Sequence, residues 1–156
     1  MHPKITSILE ASAASYVVHR HADLAVPILS PRDFAQALGY PLERITKTLL
    51  LRCLQTTTYG MTLCSVNKKV NMALIAGRLG CKRVELANSD ELLAQLDYPS
   101  TGVSPIGAGS IPVFMDAALL ELPTILIGAG VVGEEIELSP AQLQAITHAL
   151  VLPIAI

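Results

Sequence analysis

The sequence predicts an α/β fold of the α+β type, in which a mixed, mainly antiparallel β-sheet, curled or barrel-like, is flanked by helices. The chain has 156 residues, of which 51% are hydrophobic, so it can bury one sizeable core as a single domain spanning 1–156. About seven β-rich runs alternate with four or five segments of helical spacing. Hairpins outnumber strand–helix–strand units in this order, which favours a curled sheet over a flat parallel one.

Start and stop signals define the elements of the first half of the chain. Ser30 is a helix N-cap followed by Pro31, and Gly39 ends that helix; Asn71 and Gly80 bracket the next one in the same way. Two apolar runs separated by a polar turn predict a β-hairpin. In order, the predicted elements are a helix at 3–15, a strand at 16–21, a helix at 31–38, hairpin strands at 45–54 and 61–66, a helix at 72–79 and a strand at 82–86.

The second half continues with shorter elements around one long loop. Asn88 or Ser89 caps a helix that reaches about Asp97. The segment 99–112 follows with three glycines, three prolines and no charge, which is unusual for a surface loop and indicates a buried or functional one. The remaining predicted elements are strands at 113–115, 124–127 and 135–138, a helix that opens at 139–140, and a strand at 150–152.

Charge is distributed very unevenly along the chain although the net charge is only −2. Residues 1–83 hold all 11 Lys and Arg with 4 acidic residues, whereas residues 84–156 hold 9 acidic residues and no Lys or Arg. One possibility is a molecule with a cationic face suited to a polyanion and an opposite anionic face. The other is that the two halves interleave in space and their fields cancel. The sequence leaves both open.

Three features of the sequence bear on its cellular location and on metal or redox sites: the cysteines, the N-terminus and the hydropathy pattern. Cys53, Cys64 and Cys81 contain no CxxC pair, so we expect three small buried core residues rather than a zinc or redox site. No basic segment followed by an apolar one opens the chain. The uncharged stretch 138–156 is nearly as long as the 20 or so residues of a membrane span, but it carries Gln, His and Pro residues, so we expect a buried helix and a strand there. We therefore expect a cytoplasmic protein with no membrane partner.

Two features could carry chemistry. Lys47 alternates along its strand with Ile45 and Leu49, so it lies among residues that would be buried; such a cation needs an anionic or carbonyl partner unless it reaches solvent at the strand end. Gly102 and Gly107 enclose a Ser-Pro pair in the uncharged loop. Glycines free to adopt positive φ can aim backbone N–H groups at a single ligand atom, which polarises a carbonyl without side chains.

Other patterns indicate structure rather than a cofactor. Residues 128–133 match the spacing GxGxxG, but a strand rather than a helix follows them, so we interpret them as a hairpin turn and not as a dinucleotide site. His19 and His21 share a strand face without a recognisable third metal ligand, so no metal is expected. Glu135 and Glu137 also share a strand face; a solvated edge is one interpretation, and a carboxylate in a pocket is the other.

Four segments taken in order, 45–50, 79–87, 102–107 and 133–140, resemble the YbaK / prolyl-tRNA-synthetase-associated editing domain family, and the likeness extends from about Tyr16 to Ile154. The resemblance implies trans-acting hydrolysis of the ester of a mischarged tRNA by a positioned water or substrate hydroxyl, with no cofactor and no metal. It also implies two partners, the aminoacylated 3′ end of tRNA and an aminoacyl-tRNA synthetase. The implied catalytic residues are Lys47 and Gly102, and the implied substrate-binding residues are His21, Thr101, Ser104, Pro105, Gly107, Gly128 and Glu135.

The chain departs from that family pattern where other members carry basic or glycine residues. Thr101–Gly102 stands in place of two glycines, and 108–110 and 131–133 lack the basic residues of relatives, so RNA affinity would rest on other cations. The candidates are Arg44, Arg52, Lys68 and Lys69. Two alternatives stay open: a catalytically weak module of the same fold that binds tRNA, nucleotide or synthetase, and a hydrolase of a small non-RNA ester.

Overall fold

The computed structural model describes all residues from Met1 to Ile156 and contains five α-helices and eight β-strands. The helices are α1 (Pro3–Ser12), α2 (Pro31–Leu38), α3 (Met72–Leu79), α4 (Ser89–Leu96) and α5 (Pro140–Thr147). The strands are β1 (Val17–Arg20), β2 (Thr46–Cys53), β3 (Tyr59–Ser65), β4 (Val84–Leu86), β5 (Val113–Asp116), β6 (Ile125–Gly128), β7 (Glu134–Leu138) and β8 (Leu150–Leu152).

The strands form two sheets that meet at one point. A three-stranded sheet has the order β1-β7-β6 and is entirely antiparallel, and a five-stranded sheet has the order β4-β2-β3-β5-β8 with its last two pairings parallel. An isolated parallel bridge between Ile45 and Leu126 joins them, and the Thr46 hydroxyl donates to the Leu126 carbonyl at 2.6 Å. The predicted mainly antiparallel, curled architecture is confirmed, with the curl divided between two sheets.

Helices cover both faces of the five-stranded sheet. On one face α1, α4 and α5 bury the largest apolar cluster, which includes Leu50 and Met61 from β2 and β3. On the other face α3 covers a smaller cluster that includes Leu51 and Cys64. The alternation of side chains along β2 explains how neighbouring residues enter different clusters. Helix α2 packs through Phe34 against the junction of the two sheets.

Helix ends follow the capping chemistry that the sequence indicated. Ser30 Oγ accepts from the Asp33 amide at 3.1 Å, and Gly39 adopts φ +71° at the end of α2. Asn88 and Glu91 form a reciprocal capping box at α4. Helix α1 ends at Ser12, three residues earlier than predicted, because Ala13 turns to the left-handed region. None of the five α-helices combines the length and the apolar composition that a membrane-spanning helix requires.

The cysteine expectation is wrong for two of the three residues. Cys53 at the end of β2 and Cys81 in the turn after α3 form a disulfide, and Cys64 stays a free, buried thiol as expected. The bonded cysteines are 28 residues apart, and the fold brings them together by laying α3 back across β2. Local spacing carries no trace of such a pairing, since it depends on tertiary packing.

Candidate functional site

A cavity of about 540 Å³ lies where the two sheets separate. Strands β2 and β6 are bridged at Ile45, and further along β2 the Leu50 carbonyl accepts from the Ala87 amide at 2.9 Å. That bond lies on the side of β2 away from β3, so the main-chain groups of Thr48, two residues earlier, face the same side. The cavity follows this edge of β2, and its volume is in the range of small-ligand sites.

Five of the nine predicted site residues line this cavity, and four lie behind its wall. The lining includes His21, Lys47, Thr101, Gly128 and Glu135. Gly102, Ser104 and Pro105 are buried and Gly107 is half-buried, all outside the lining. Within the loop, Thr101 and Val103 reach the cavity while Gly102 between them does not.

Lys47 is a half-buried cation with no partner inside the protein. It projects from β2 and lines the cavity, and its ammonium makes neither an ion pair nor a hydrogen bond with the chain. Its cross-strand partner is Cys64; burial raises the pKa of that thiol, and the Lys47 charge opposes the rise. A cation that is half removed from water without an internal anion is well placed to bind an anionic ligand group.

Two glycines let the 101–103 segment lie directly on the β6–β7 hairpin. A Cβ on Gly128 would fall 2.0 Å from the Val103 carbonyl oxygen, and a Cβ on Gly102 would fall 2.8 Å from the Val131 carbonyl. The Gly130 amide also donates to the Gly102 carbonyl at 2.8 Å. The loop is therefore held by main-chain contacts for which only glycine leaves room.

The main-chain donors of this loop differ from the sequence expectation in one detail. The Gly102 amide, expected to polarise a substrate carbonyl, donates to the Pro99 carbonyl at 3.0 Å. The amides of Thr101 and Val103 make no hydrogen bond within the chain, and both residues line the cavity. The main-chain amides of the 101–103 segment that make no hydrogen bond thus belong to the two residues that flank Gly102.

The rest of the loop supports this arrangement from behind. Ser104 Oγ accepts from the Ile106 amide at 3.3 Å, and the Tyr98 hydroxyl donates to the Ile106 carbonyl at 2.5 Å. Burial raises the pKa of Tyr98. Gly107 adopts φ +84°, and a Cβ there would lie 2.6 Å from the Tyr98 hydroxyl oxygen. These residues fix the loop and do not form the cavity wall.

Two histidine–glutamate pairs connect β7 with β1 and with the residue that directly follows β1. His21 Nε2 lies 2.6 Å from Glu135 Oε2, and His19 Nε2 lies 2.8 Å from Glu137 Oε1. His21 and Glu135 face the cavity. Burial raises the pKa of Glu135, and the hydrogen bond from His21 opposes that rise. The interpretation of these carboxylates as a solvated edge is therefore wrong for both, and no group of three ligands suited to a metal exists in the protein.

Glu137 is the centre of a buried polar network that ties α2 and the sheet junction together. Its carboxylate accepts from Tyr40 at 3.0 Å, from Thr124 at 2.6 Å and from Arg44 at 3.1 Å, besides His19. Burial opposes ionisation, but the hydrogen bonds outweigh it and lower the pKa of Glu137. Arg44 makes its hydrogen bonds within this network, and its guanidinium carbon lies 3.6 Å from the centroid of the Tyr40 ring.

The expected RNA contacts are therefore reduced to two of four cations. Arg44 is bound to Glu137, and Arg52 pairs with Glu85 and with Glu91, the latter at 2.8 Å. Lys68 and Lys69 are exposed, and their side chains form no ion pair. Only these two of the four named residues are free to contact phosphate.

One wall of the cavity was not predicted from the sequence. Ser30 and Pro31, identified only as a helix start, line the cavity together with Phe34. The Phe34 ring lies 4.8 Å from the His21 ring, so α2 packs on the polar pair and closes that side. The sequence shows an aromatic residue, Phe34, on the face of α2 that is buried. It does not show that this ring packs against His21, because that contact depends on the tertiary structure. The other lining residues that were not predicted are Ile28, Leu29, Ile45, Thr46, Thr48, Leu49, Val66, Ser100, Val103, Val132, Gly133 and Glu134.

A second, smaller cavity of about 140 Å³ adjoins the first one. The two share Thr48, Leu49, Ser100 and Val103 as lining residues. Thr48 Oγ1 is buried at this boundary without a hydrogen-bond partner. A buried hydroxyl without a partner is uncommon in native proteins, and here it stands beside the space that a ligand would fill.

Relatives of this chain include a protein named as a tRNA deacylase and part of a proline–tRNA ligase. A protein of Enterococcus faecalis named "Putative Cys-tRNA(Pro)/Cys-tRNA(Cys) deacylase EbsC" is 29% identical over 121 residues, which are 77% of this chain and 73% of that protein. A proline–tRNA ligase of Staphylococcus epidermidis is 25% identical over 130 residues, which are 79% of this chain and only 23% of the ligase.

Solved structures share the whole architecture. The crystal structure of hypothetical protein APE2540 superposes with a TM-score of 0.85 at 23% identity, covering 98% of this chain and 99% of the other. The structure described as "a putative trans-editing enzyme for prolyl tRNA synthetase" gives a TM-score of 0.81 at 20% identity, covering 100% and 99%. At these identities the likeness establishes the fold. The profile described as "Aminoacyl-tRNA editing domain" matches residues 25–146, and the chain therefore belongs to the aminoacyl-tRNA editing domain family.

Proposed function

We propose that this protein is a trans-acting aminoacyl-tRNA deacylase, a hydrolase that cleaves the ester of a mischarged tRNA without metal or cofactor. The observation that carries the proposal is the unpartnered Lys47, which lines one cavity of about 540 Å³ together with the 101–103 loop and the His21–Glu135 pair. This cavity offers a cation for the terminal nucleotide and main-chain donors for the ester carbonyl. We place the reaction in the cytoplasm, where aminoacylated tRNA is its substrate and an aminoacyl-tRNA synthetase its second partner.

In the proposed reaction the protein positions the ester and polarises its carbonyl, and none of its side chains attacks the carbonyl carbon. Lys47 binds the terminal adenosine or its phosphate, and the amides of Thr101 and Val103 donate to the carbonyl oxygen as negative charge develops on it. Gly102 contributes through its missing Cβ, which keeps these amides in place. His21, Gly128 and Glu135 form the wall around the amino acid.

The bond changes need no protein nucleophile. A water adds to the carbonyl carbon, and the bond from that carbon to the ribose ester oxygen then breaks. If the neighbouring ribose hydroxyl adds first, the ester only moves to that hydroxyl, and a water must still add to complete the hydrolysis. With water, the ribose oxygen takes up a proton as the attacking oxygen loses one, which releases a free amino acid and a tRNA with a free hydroxyl. An aminoacyl ester is already activated, so positioning and carbonyl polarisation supply the needed acceleration.

The test is deacylation of a panel of mischarged tRNAs by the wild-type protein and by Lys47→Met. We expect the variant to lose about 10- to 100-fold in kcat/KM, the value of a charge-assisted contact. Because Lys47 has no internal partner, the free energy of unfolding should not fall. Gln95→Glu, exposed on α4, changes the net charge by the same amount and should leave kcat/KM unchanged. Hydrolysis no faster with the wild-type protein than without it would refute the proposal.

A second candidate function is a module of the same fold that binds the aminoacyl or nucleotide group without hydrolysis. The observation in its favour is the Gly102 amide, which is occupied by Pro99 and is therefore not a free donor. Saturable binding of tRNA with an unchanged ester lifetime would support this function over the first one.

A further inference from the structure

The five-stranded sheet separates two helical layers of different charge. Helices α1 and α4 cover one face, and their exposed surface carries the acidic residues Glu10 and Asp90, with Asp97 directly after α4. Helix α3 covers the opposite face, and the chain contains no Asp or Glu between Glu43 and Glu85, a segment that includes the whole of α3. The helices on the two faces of this sheet therefore differ in charge, as the two halves of the sequence do.

Five exposed cations surround α3, and we call them the α3 basic surface. They lie before the helix, in its last turn and in the turn that follows, and none forms an ion pair or a side-chain hydrogen bond. Helix α3 has eight residues and is therefore about 12 Å long, so the cations are spread over more than this length. The members are Lys68, Lys69, Arg78, Lys82 and Arg83.

The α3 basic surface leads to the cavity at one end. Lys47 lies on the same face of β2 as Leu49 and Leu51, which pack under α3. Val66 lines the cavity and precedes Lys68 by only two residues, in the turn that follows β3. A chain of fixed negative charges lying along α3 would thus end beside Lys47.

We propose that the α3 basic surface binds the sugar–phosphate backbone of the tRNA acceptor arm and so directs the 3′ end into the cavity. The inference rests on the proposed function for the identity of the RNA. Unpaired lysines and arginines, carried by a stretch of chain without acidic residues, suit a polyanion with regularly spaced phosphates. Of the cations that the sequence suggested for RNA, the two left free by the fold belong to this surface.

The test is equilibrium binding of uncharged tRNA over a range of salt concentrations, with Lys82→Gln/Arg83→Gln compared with the wild type. Losing two phosphate contacts should lower the slope of log K against log salt by about 2 and the affinity by roughly 30-fold at 0.15 M salt. Gln95→Glu/Gln144→Glu has the same net charge but places the change on α4 and α5, and it should bind as the wild type does. Both altered pairs lie outside the core, so thermal unfolding should confirm folded proteins.

Deacylation of two substrates separates this inference from the proposed function. With mischarged tRNA the Lys82→Gln/Arg83→Gln protein should lose kcat/KM in proportion to affinity, whereas with an aminoacyl-adenosine, which lacks the RNA backbone, it should equal the wild type. Unchanged tRNA binding and unchanged salt slope would overturn the inference while leaving the deacylase intact. A weakened, salt-sensitive binding without any deacylation would support the surface and refute the enzyme. Loss of synthetase binding with unchanged tRNA binding would assign the surface to a protein partner and overturn the inference.

Discussion

Replacing Gly128 with alanine should displace the loop that carries the candidate carbonyl donors. The added Cβ would lie 2.0 Å from the Val103 carbonyl oxygen and 3.2 Å from that of Gly102. Ordinary contact begins at 3.4 Å, so β6 and the loop must separate by about 1.4 Å. Both obstructing groups are main chain, so no side-chain rotation can relieve the clash.

This separation sets the expected magnitude. A displacement of about 1 Å at reacting groups can cost about 100-fold in rate, so Gly128→Ala should lose about 100-fold or more in kcat/KM for deacylation. Overpacking should lower the free energy of unfolding by about 1–3 kcal/mol, measured by urea denaturation. The loss of activity should persist at temperatures where the variant is fully folded.

Gly77→Ala is the matched control. Gly77 lies within α3, and a Cβ there meets nothing within 4 Å, so the variant should gain up to about 1 kcal/mol from helix propensity and keep wild-type kinetics. If Gly128→Ala is as stable and as active as the wild type, the contact between β6 and the loop does not set the geometry of the site, and the reasoning fails.

Three further predictions concern stability. Glu137→Gln should cost about 3 kcal/mol at neutral pH because it leaves Arg44 buried without its anion; since folding lowers the pKa of Glu137, that difference should shrink as the pH falls below the ordinary value of 4.5, and a pH-independent difference would contradict the ion pair. Cys53→Ala/Cys81→Ala should lower the free energy of unfolding by roughly 3.5 kcal/mol, the value for a loop closed across 28 residues. In the unfolded wild-type protein, alkylation after reduction should label two more thiols than alkylation before it. Thr62→Val should raise the free energy of unfolding by about 1 kcal/mol, since it removes a buried hydroxyl without a partner; a loss in urea denaturation would show that the hydroxyl is satisfied.

The sequence predicted the elements well because their signals are local. Caps such as Ser30 and Asn88 and the alternation along β2 depend only on neighbours in the chain, and the structure confirms them. The division into two sheets was not predicted. The two sheets are joined by one parallel bridge between Ile45 and Leu126, and a contact between residues so far apart in sequence leaves no periodic pattern.

The sequence named several residues that line the cavity, but it did not predict which residues of the loop face the cavity. An uncharged loop rich in glycine and proline indicated a special role, but which of its residues face the cavity depends on how Gly102 and Gly128 allow it to lie on β6. The α2 wall, with Phe34, was not predicted, because a helix pattern reveals its buried face and not what that face covers. The polar network of Glu137 was not predicted for the same reason.

The connectivity of the fold has a consequence for biosynthesis. The β2–β3 hairpin needs only adjacent residues, whereas the cavity combines Lys47 with strands β6 and β7 from the last third of the chain, and β5 and β8 add to the sheet as parallel strands. Long-range pairings of this kind form slowly and late. A nascent chain leaving the ribosome thus exposes the basic residues of its first half before the cavity exists.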